Sequence, residues 1–537
     1  MKRILCVLFA LALVLSLGAM ARAPALVESS EFGGYATIIN VPDDYPTIQE
    51  AIDVTGAGDA MIVVAAGEYD GFQVLEKQRI SIVSTAGATV TNANITSINR
   101  GPIESAWSMA AVKDSQDIII SGIGFNGAAL AEGDVAVGIA YVNSTGRVVN
   151  LTVENTVGVQ LGAGVAIIGD EGTSRVDLLG VTVKNSMAGV IVWDAEADLD
   201  GCEITGMKPN GGFGVMAAGA GIVIGIPGHP WSGPSNVKVK GSTVSDNNSV
   251  GIYVCDGSVL EANFNSIVGN TQFGVANDGA ESVDARHNWW GTVDGPFHPT
   301  LNPAGADNNA VSDEVTFSPW TTSEVVTEVL TEDGIVCALT QADTKVLVKM
   351  KSSSVSFGYD ANSAELADWQ ISTALAVTDR LDNPANSDPA GFISLRSWVD
   401  VFVSHPEVVE EVEIRLYYTE DAISDVPQIL RQSLQLMWLD DNEWRQFFAK
   451  DRGVAESSDE LGYSGYMYVI LTATTRPDLT CLRGGEFGGY GGPTEVGGIC
   501  GCGLSSALPV GLLCVFCCYR SLRHRHGKRR IHAAGGQ

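Results

Sequence analysis

Gly164-Val165-Ala166-Ile167 and Gly189-Val190-Ile191-Val192 carry the rhythm that decides the fold. The same glycine-led apolar alternation occurs at Gly138-Ile139-Ala140, Gly221-Ile222-Val223-Ile224, Gly251-Ile252-Tyr253-Val254 and Gly274-Val275-Ala276. These glycines stand 26, 25, 32, 30 and 23 residues apart. A second strand signal interleaves with them at Gly180-Val181-Thr182-Val183, Gly201-Cys202-Glu203-Ile204, Gly241-Ser242-Thr243-Val244 and Asn263-Phe264-Asn265-Ser266-Ile267. Each segment is short and alternating, so one face is apolar. No coil of ~25 residues buries that face alone, but stacked coils do, with equivalent strands paired at ~4.8 Å. Asn185, Asn247 and Asn270 each precede a repeat glycine by four residues. Asparagine there suits left-handed bends and amide hydrogen bonds shared up a column. The longer spacing around residues 206 to 235, with Pro209, Pro227, Pro230 and Pro234, reads as a loop leaving the stack.

The flanks of the repeats carry a resemblance. Ile39-Asn40-Val41-Pro42-Asp43-Asp44-Tyr45-Pro46-Thr47-Ile48-Gln49-Glu50-Ala51-Ile52 is followed by Gly58-Asp59-Ala60-Met61-Ile62-Val63-Val64 and Gly67-Glu68-Tyr69. That opening is similar to the first coil of the right-handed parallel β-helix, or pectin-lyase-like, superfamily, with a short capping helix near Ile48 to Val54. Asn288-Trp289-Trp290-Gly291, Gly295-Pro296 and Phe317-Ser318-Pro319-Trp320 resemble the closing segment of bacterial β-helix repeat proteins. The resemblance covers about residues 36 to 320. It implies a fold and does not choose among the activities that fold hosts.

The expected fold class is all-β: a right-handed parallel β-helix over 36–320, a smaller β-sandwich over 325–480, and a C-terminal transmembrane segment. The glycine rhythm stops at Trp320, and short alternating segments follow, such as Trp398-Val399-Asp400-Val401-Phe402-Val403 and Tyr466-Met467-Tyr468-Val469-Ile470-Leu471. Leu434 to Trp438, the turn Asp440-Asp441-Asn442 and Trp444 read as a hairpin. Gly484 to Gly498 reads as a glycine-rich linker.

The two ends point to export. Lys2, Arg3, the uncharged run Ile4 to Met20 and the small residues Ala19 and Ala21 read as a signal peptide, residues 1–21, with an uncleaved anchor as the alternative. Gly503 to Tyr519 is uncharged and mostly apolar, and the tail 520–537 holds Arg520, Arg523, Arg525, Lys528, Arg529 and Arg530 without an acid. Such a flank stays cytoplasmic, which places the large domain outside the cell. Lys2, Arg3 and those six account for eight of the 32 cations, so the body carries 24 against 63 acids, a net charge of −39. A body this acidic repels nucleic acid and anionic lipid. The ten cysteines form no disulfide framework: Cys202, Cys255 and Cys337 read as small buried hydrophobes, and the rest crowd the C-terminal end apart from Cys6.

No catalytic set emerges. Pectate lyases, polygalacturonases, methylesterases and epimerases of the resembled superfamily need calcium-binding carboxylates with a base, paired carboxylates, or an aspartate nucleophile. The repeats hold no Gly-His-Gly and no Asn-x-Asp, and Gly291-Thr292-Val293-Asp294 falls within turn chemistry. The sharpest candidates are Asp170, Asp194, Asp256 and Asp278, four to six residues after a repeat glycine. In register they would stack at one corner and hold calcium; the competing reading is a row of solvated turns. Asp194, Glu196, Asp198 and Asp200 alternate and share a face in extended chain. Arg175, Lys184 and Arg286 are candidate bases, and Trp193 and Trp231 candidate sugar-stacking rings. The expectation is a non-catalytic surface protein that binds polysaccharide or cell-envelope partners and touches the membrane through its terminal segment. The alternative is a calcium-dependent polysaccharide lyase or epimerase. A copper-maturation role is poorly served by the sparse methionine and histidine.

Overall fold

The computed structural model describes residues 35–491, apart from 85, 101–102, 131–134, 159–160, 170–173, 210–217, 226–232, 256, 306–308, 331–333, 340–344, 353–372, 381–384, 386, 390–391, 407–408, 441–442 and 457–462. The signal, anchor and tail expected at 1–21, 503–519 and 520–537 therefore lie outside the described residues, as does Trp231. Among the described residues no helix is long and apolar enough to cross a membrane.

Each coil contributes three strands, and equivalent strands pair in parallel into three long sheets. The first sheet runs from Thr37–Val41 to Val315–Thr316, the second from Gly67–Tyr69 to Ser266–Val268, and the third from Phe72–Leu75 to Phe273–Asn277. One coil shows the order: Ser174–Leu179 in the first sheet, Thr182–Lys184 in the second, Ala188–Trp193 in the third. Val153, Val183, Ile204, Val244 and Ile267 of the second sheet point inward and are fully buried. The helix Ile48–Val54 closes the first coil with Ile48, Ala51 and Ile52 inward, and its N-cap Thr47 hydroxyl accepts from the Glu50 N–H at 3.1 Å.

Two positions explain the repeated glycines. Gly164 and Gly189 sit in the first half of their third-sheet strands, Leu161–Ile168 and Ala188–Trp193. A Cβ on Gly189 would lie 2.3 Å from the Gly221 carbonyl oxygen and 2.6 Å from an Ile204 methyl. These glycines are demanded by space, not by a left-handed φ. At the corner between the first and second sheets the demand is conformational: Gly180, Gly201 and Gly241 have φ of 63°, 59° and 57°, and Asn150 and Phe264 hold the same position at 47° and 59°.

Polar ladders run up the inside. Asn247 Nδ2 donates to Asn270 Oδ1 at 2.9 Å, and Asn265 Nδ2 to Asn288 Oδ1 at 3.0 Å. The Ser144 Oγ accepts from the Ser115 N–H, and the Ser174 Oγ from the Ser144 N–H, each at 3.0 Å. Buried backbone N–H groups at the tight corners thus find partners. Asn185 does not join: it is a left-handed corner residue (φ 54°), and its neighbour Ser186 takes the ladder position, accepting from the Thr156 N–H at 3.2 Å.

The second half forms two antiparallel sheets packed face to face. One contains Val326–Leu330, Thr373–Arg380, Ile393–Val403, Arg483–Gly491, Gln435–Asp440 and Glu443–Gln446 in that spatial order. The other contains Gly334–Leu339, Lys345–Ser352, Val409–Tyr418, Gly465–Leu471 and Asp451–Glu456. Val348, Val377, Val401, Ile414, Val469 and Phe487 build the core between them. The linker expected from Gly484 is corrected here: Arg483–Gly491 is a nine-residue strand in the middle of its sheet. Phe487 and Tyr490 anchor it, and a Cβ on Gly489 would come within 2.8 Å of Leu416 and Met467 side chains. Glycine there lets two sheets approach.

Candidate functional site

The four corner aspartates do not form one column. Asp170 and Asp256 lie outside the described residues. Register places Ile224 beside Val192, Val254 beside Ile224 and Asn277 beside Val254. Asp278 therefore continues the column of Trp193 and Cys255, one residue short of the position of Asp194. The repeat glycines themselves are in register, and Asp194 stands five residues after its glycine where Asp278 stands four. Asp194 is buried at 4% exposure with φ 54°, and its N–H donates to Ser235 Oγ at 3.0 Å. A Cβ on Gly233 would fall 2.1 Å from its Oδ1, so returning chain closes over the carboxylate. Asp278 is exposed and accepts the Tyr253 hydroxyl. Burial first, then that bond, pushes the Tyr253 phenol up. Among the described residues no three His, Cys, Asp or Glu side chains gather to hold a metal ion.

Glu196, Asp198 and Asp200 do share a face, the outward face of the first sheet, while Ala195, Ala197 and Leu199 point inward. Asp194 precedes the strand and turns away. The coils on either side interleave opposite charge. Register sets Arg175, Asp177 and Leu179 beside Glu196, Asp198 and Asp200 on one side, and Asn236, Lys238 and Lys240 on the other. Arg175 bridges Glu196 and Asp198, each at 3.1 Å; Arg147 lies 3.7 Å from Asp177, and Lys240 2.7 Å from Glu261. The candidate bases are all in ion pairs: Arg175 as described, Lys184 with Glu154 at 3.2 Å, Arg286 with Asp284 at 2.8 Å.

The sandwich covers one row of this wall. Ala374 joins an outward apolar patch of Met61, Val83, Ile119, Val149 and Leu179. Farther up, Phe402 stacks on Phe264 with centroids 6.2 Å apart and planes 8° off parallel, and Lys240 Nζ lies 6.0 Å from the Phe402 ring centre. Phe264 is a bulky residue in the left-handed corner, a placement that costs about 1–2 kcal/mol. Its packing with Val325, Ala376 and Phe402 offsets that cost. Burial pushes the Asp200 carboxyl up to about 7, against the lowering effect of His405 from the sandwich. Burial likewise raises Asp177, with Arg147 opposing.

The other two outward faces contrast. That of the third sheet is apolar and buried, with Ala166, Ile168, Ile191, Trp193, Val223 and Tyr253 in one cluster. Trp193 is 2% exposed and so cannot stack on a sugar. The second sheet presents Thr89 and, past Gly124, Thr152, Thr182, Glu203 and Thr243 in one row and Asn126, Glu154, Lys184, Thr205 and Ser245 in the next. All but Ser245 are half-exposed or exposed. Asn126 Nδ2 donates to Glu154 Oε1 at 3.1 Å, and Ser245 Oγ to Thr205 Oγ1 at 3.2 Å. Sequence reading did not find this wall; the Thr-x-Glu, Thr-x-Lys and Thr-x-Ser triplets were its signal.

A family model described as a right handed beta helix region matches residues 136–289. The stacked coils are a right-handed parallel β-helix. No curated protein matches the chain in sequence. Among solved structures, the A-module of the Azotobacter vinelandii mannuronan C-5 epimerase AlgE4 is 14% identical, covering 55% of this chain and 99% of its own, with a TM-score of 0.20. The tailspike protein gp49 of Acinetobacter baumannii bacteriophage Fri1, a capsular polysaccharide depolymerase, is 10% identical over 85% of this chain and 84% of its own, with a TM-score of 0.23. Superposition this loose assigns no residue and no activity.

Proposed function

We propose that the protein is an exported, membrane-anchored rod without catalytic activity, whose second-sheet wall binds a polysaccharide or another envelope component. The observation that carries this reading is the contrast among the walls. The second sheet offers two straight rows of hydroxyl, amide and charged groups at ~4.8 Å intervals, one of them interrupted at Gly124, a pattern suited to a linear polymer with a regular series of polar groups. The first-sheet acids are engaged by arginine or lysine or lie under the sandwich. The net charge of the body disfavours nucleic acid.

One observation favours the alternative, a polysaccharide lyase or epimerase. A carboxyl that keeps its proton to about pH 7, as Asp200 does, suits a general acid, and Asp177 and Asp198 stand beside it. Its cover by the sandwich weighs against access. Retention of the full chain on immobilised acidic and neutral polysaccharides tests the proposal. Lys184→Glu and Thr182→Tyr are expected to abolish retention, and Asp200→Asn to leave it intact. Retention that survives both wall variants would contradict the assignment of the wall.

A further inference from the structure

We propose that the sandwich is held on the β-helix wall by an acid-tightened latch in which the Asp200 carboxyl is the titrating group and the Phe264–Phe402 stack fixes the register. Asp200 is bracketed by the junction. Its register partner on one side, Leu179, belongs to the patch that Ala374 joins; its partner on the other, Lys240, faces the Phe402 ring. Next to Lys240, a Cβ on Gly241 would meet Ala376, Phe402 and Thr327 at 3.4–3.5 Å, so the corner is in contact with three strands of the sandwich. A carboxylate under this cover loses water that the undocked wall would restore to it.

The charges around Asp200 decide the sign. Its own strand brings Glu196 and Asp198; the strand on one side brings Arg175 and Asp177, with Arg147 beyond; the strand on the other brings Lys238 and Lys240, with Glu261 beyond. The sandwich brings His405, just past the end of Ile393–Val403, and Asp400 on the same side of that strand as Phe402. Arg175 is spent on Glu196 and Asp198, and Lys240 on Glu261. Burial therefore wins, and the docked carboxyl holds its proton more tightly than the undocked one. The docked state binds the extra proton, so docking is full below the ordinary carboxylate range and weakens as pH rises toward about 7. The His405 ring opposes the effect in part.

The test is hydrogen exchange of the full chain at pH 5 and pH 8, corrected for the pH dependence of chemical exchange. The segments read are 236–241 and 398–405, with 188–193 of the third sheet as the internal control. In the unsubstituted protein the opening equilibrium of the junction is expected to rise at least about tenfold between the two pH values while the control stays constant. Asp200→Asn, which keeps the shape and removes the titration, is expected to cut that rise below about twofold. Glu196→Gln, outward on the same strand but half-exposed and paired with Arg175, is expected to retain it. Phe402→Ala opens the cover over the corner and is expected to shrink it. If Asp200→Asn exposes the control segment, the Phe402→Ala comparison decides. No rise in the unsubstituted protein, an undiminished rise in Asp200→Asn, or a rise that Phe402→Ala leaves unchanged overturns the latch.

Discussion

Replacing Gly189 by alanine adds one methyl to a crowded position of the coil. The new carbon would sit 2.3 Å from the Gly221 carbonyl oxygen and 2.6 Å from Ile204 Cγ2, both well inside van der Waals contact. The carbonyl cannot simply retreat, because it accepts the Val190 N–H at 2.9 Å. Relief requires the next coil to move by most of an ångström, which breaks ladder bonds above it. Overpacking of a close-packed interior costs about 1–3 kcal/mol, and one strained or lost backbone bond adds about 1 kcal/mol, so a loss of about 3 kcal/mol is expected. Gly87→Ala is the matched control: its φ is 84° and a Cβ there meets nothing within 4 Å, so only the left-handed strain of about 1 kcal/mol applies. Urea denaturation followed by circular dichroism reads both, with hydrogen exchange at 188–193 reporting local loss in case the coils do not melt together. Equal destabilisation of the two variants would refute the spatial reading of the glycine column.

Further expectations concern the ladders, the wall and the junction. Asn265→Leu strands the buried Ser242 N–H that Asn265 Oδ1 accepts at 2.9 Å and leaves the Val239 carbonyl without its donor; thermal melting should show a loss of about 2–4 kcal/mol. Lys184→Glu breaks a half-exposed pair with Glu154, so melting should shift by less than about 1 kcal/mol even where polysaccharide retention is lost. Asp200→Asn should stabilise the fold at pH 8 and do little at pH 4, because the raised carboxyl favours folding only while protonated; urea midpoints at the two pH values check the sign. Phe402→Ala should loosen 398–405 in hydrogen exchange, and Phe264, left in a strained corner with only the His287 ring stacked on it, should lower the unfolding midpoint further.

The coil repeat was legible because its glycines answer to space, which leaves a fixed residue type at a nearly fixed spacing. Two strands per coil announced themselves by alternation behind glycine. The third, as in Ala195–Asp200 and Asn236–Lys240, was hidden by outward charges, although Ala-Glu-Ala-Asp-Leu-Asp and Asn-Val-Lys-Val-Lys alternate cleanly. Asp194, Glu196, Asp198 and Asp200 were read as one face, and three of them are; the left-handed Asp194 is not. The expected aspartate column breaks at Asp194 and Asp278, which stand five and four residues after glycines that are themselves in register. Arg483–Gly491 escaped because glycine-rich composition masks two aromatic anchors. Docking of the sandwich against one wall is a long-range fact, and nothing local to Asp200 or Phe402 encodes it.

The most direct measurement takes the full chain with each retained polysaccharide, with and without millimolar calcium, and follows unsaturated chain ends by absorbance and uronate epimers by nuclear magnetic resonance in the same sample. The account predicts saturable binding with neither product at any calcium concentration. New chain ends or epimers that disappear in Asp200→Asn would contradict it and place catalysis on the first-sheet wall.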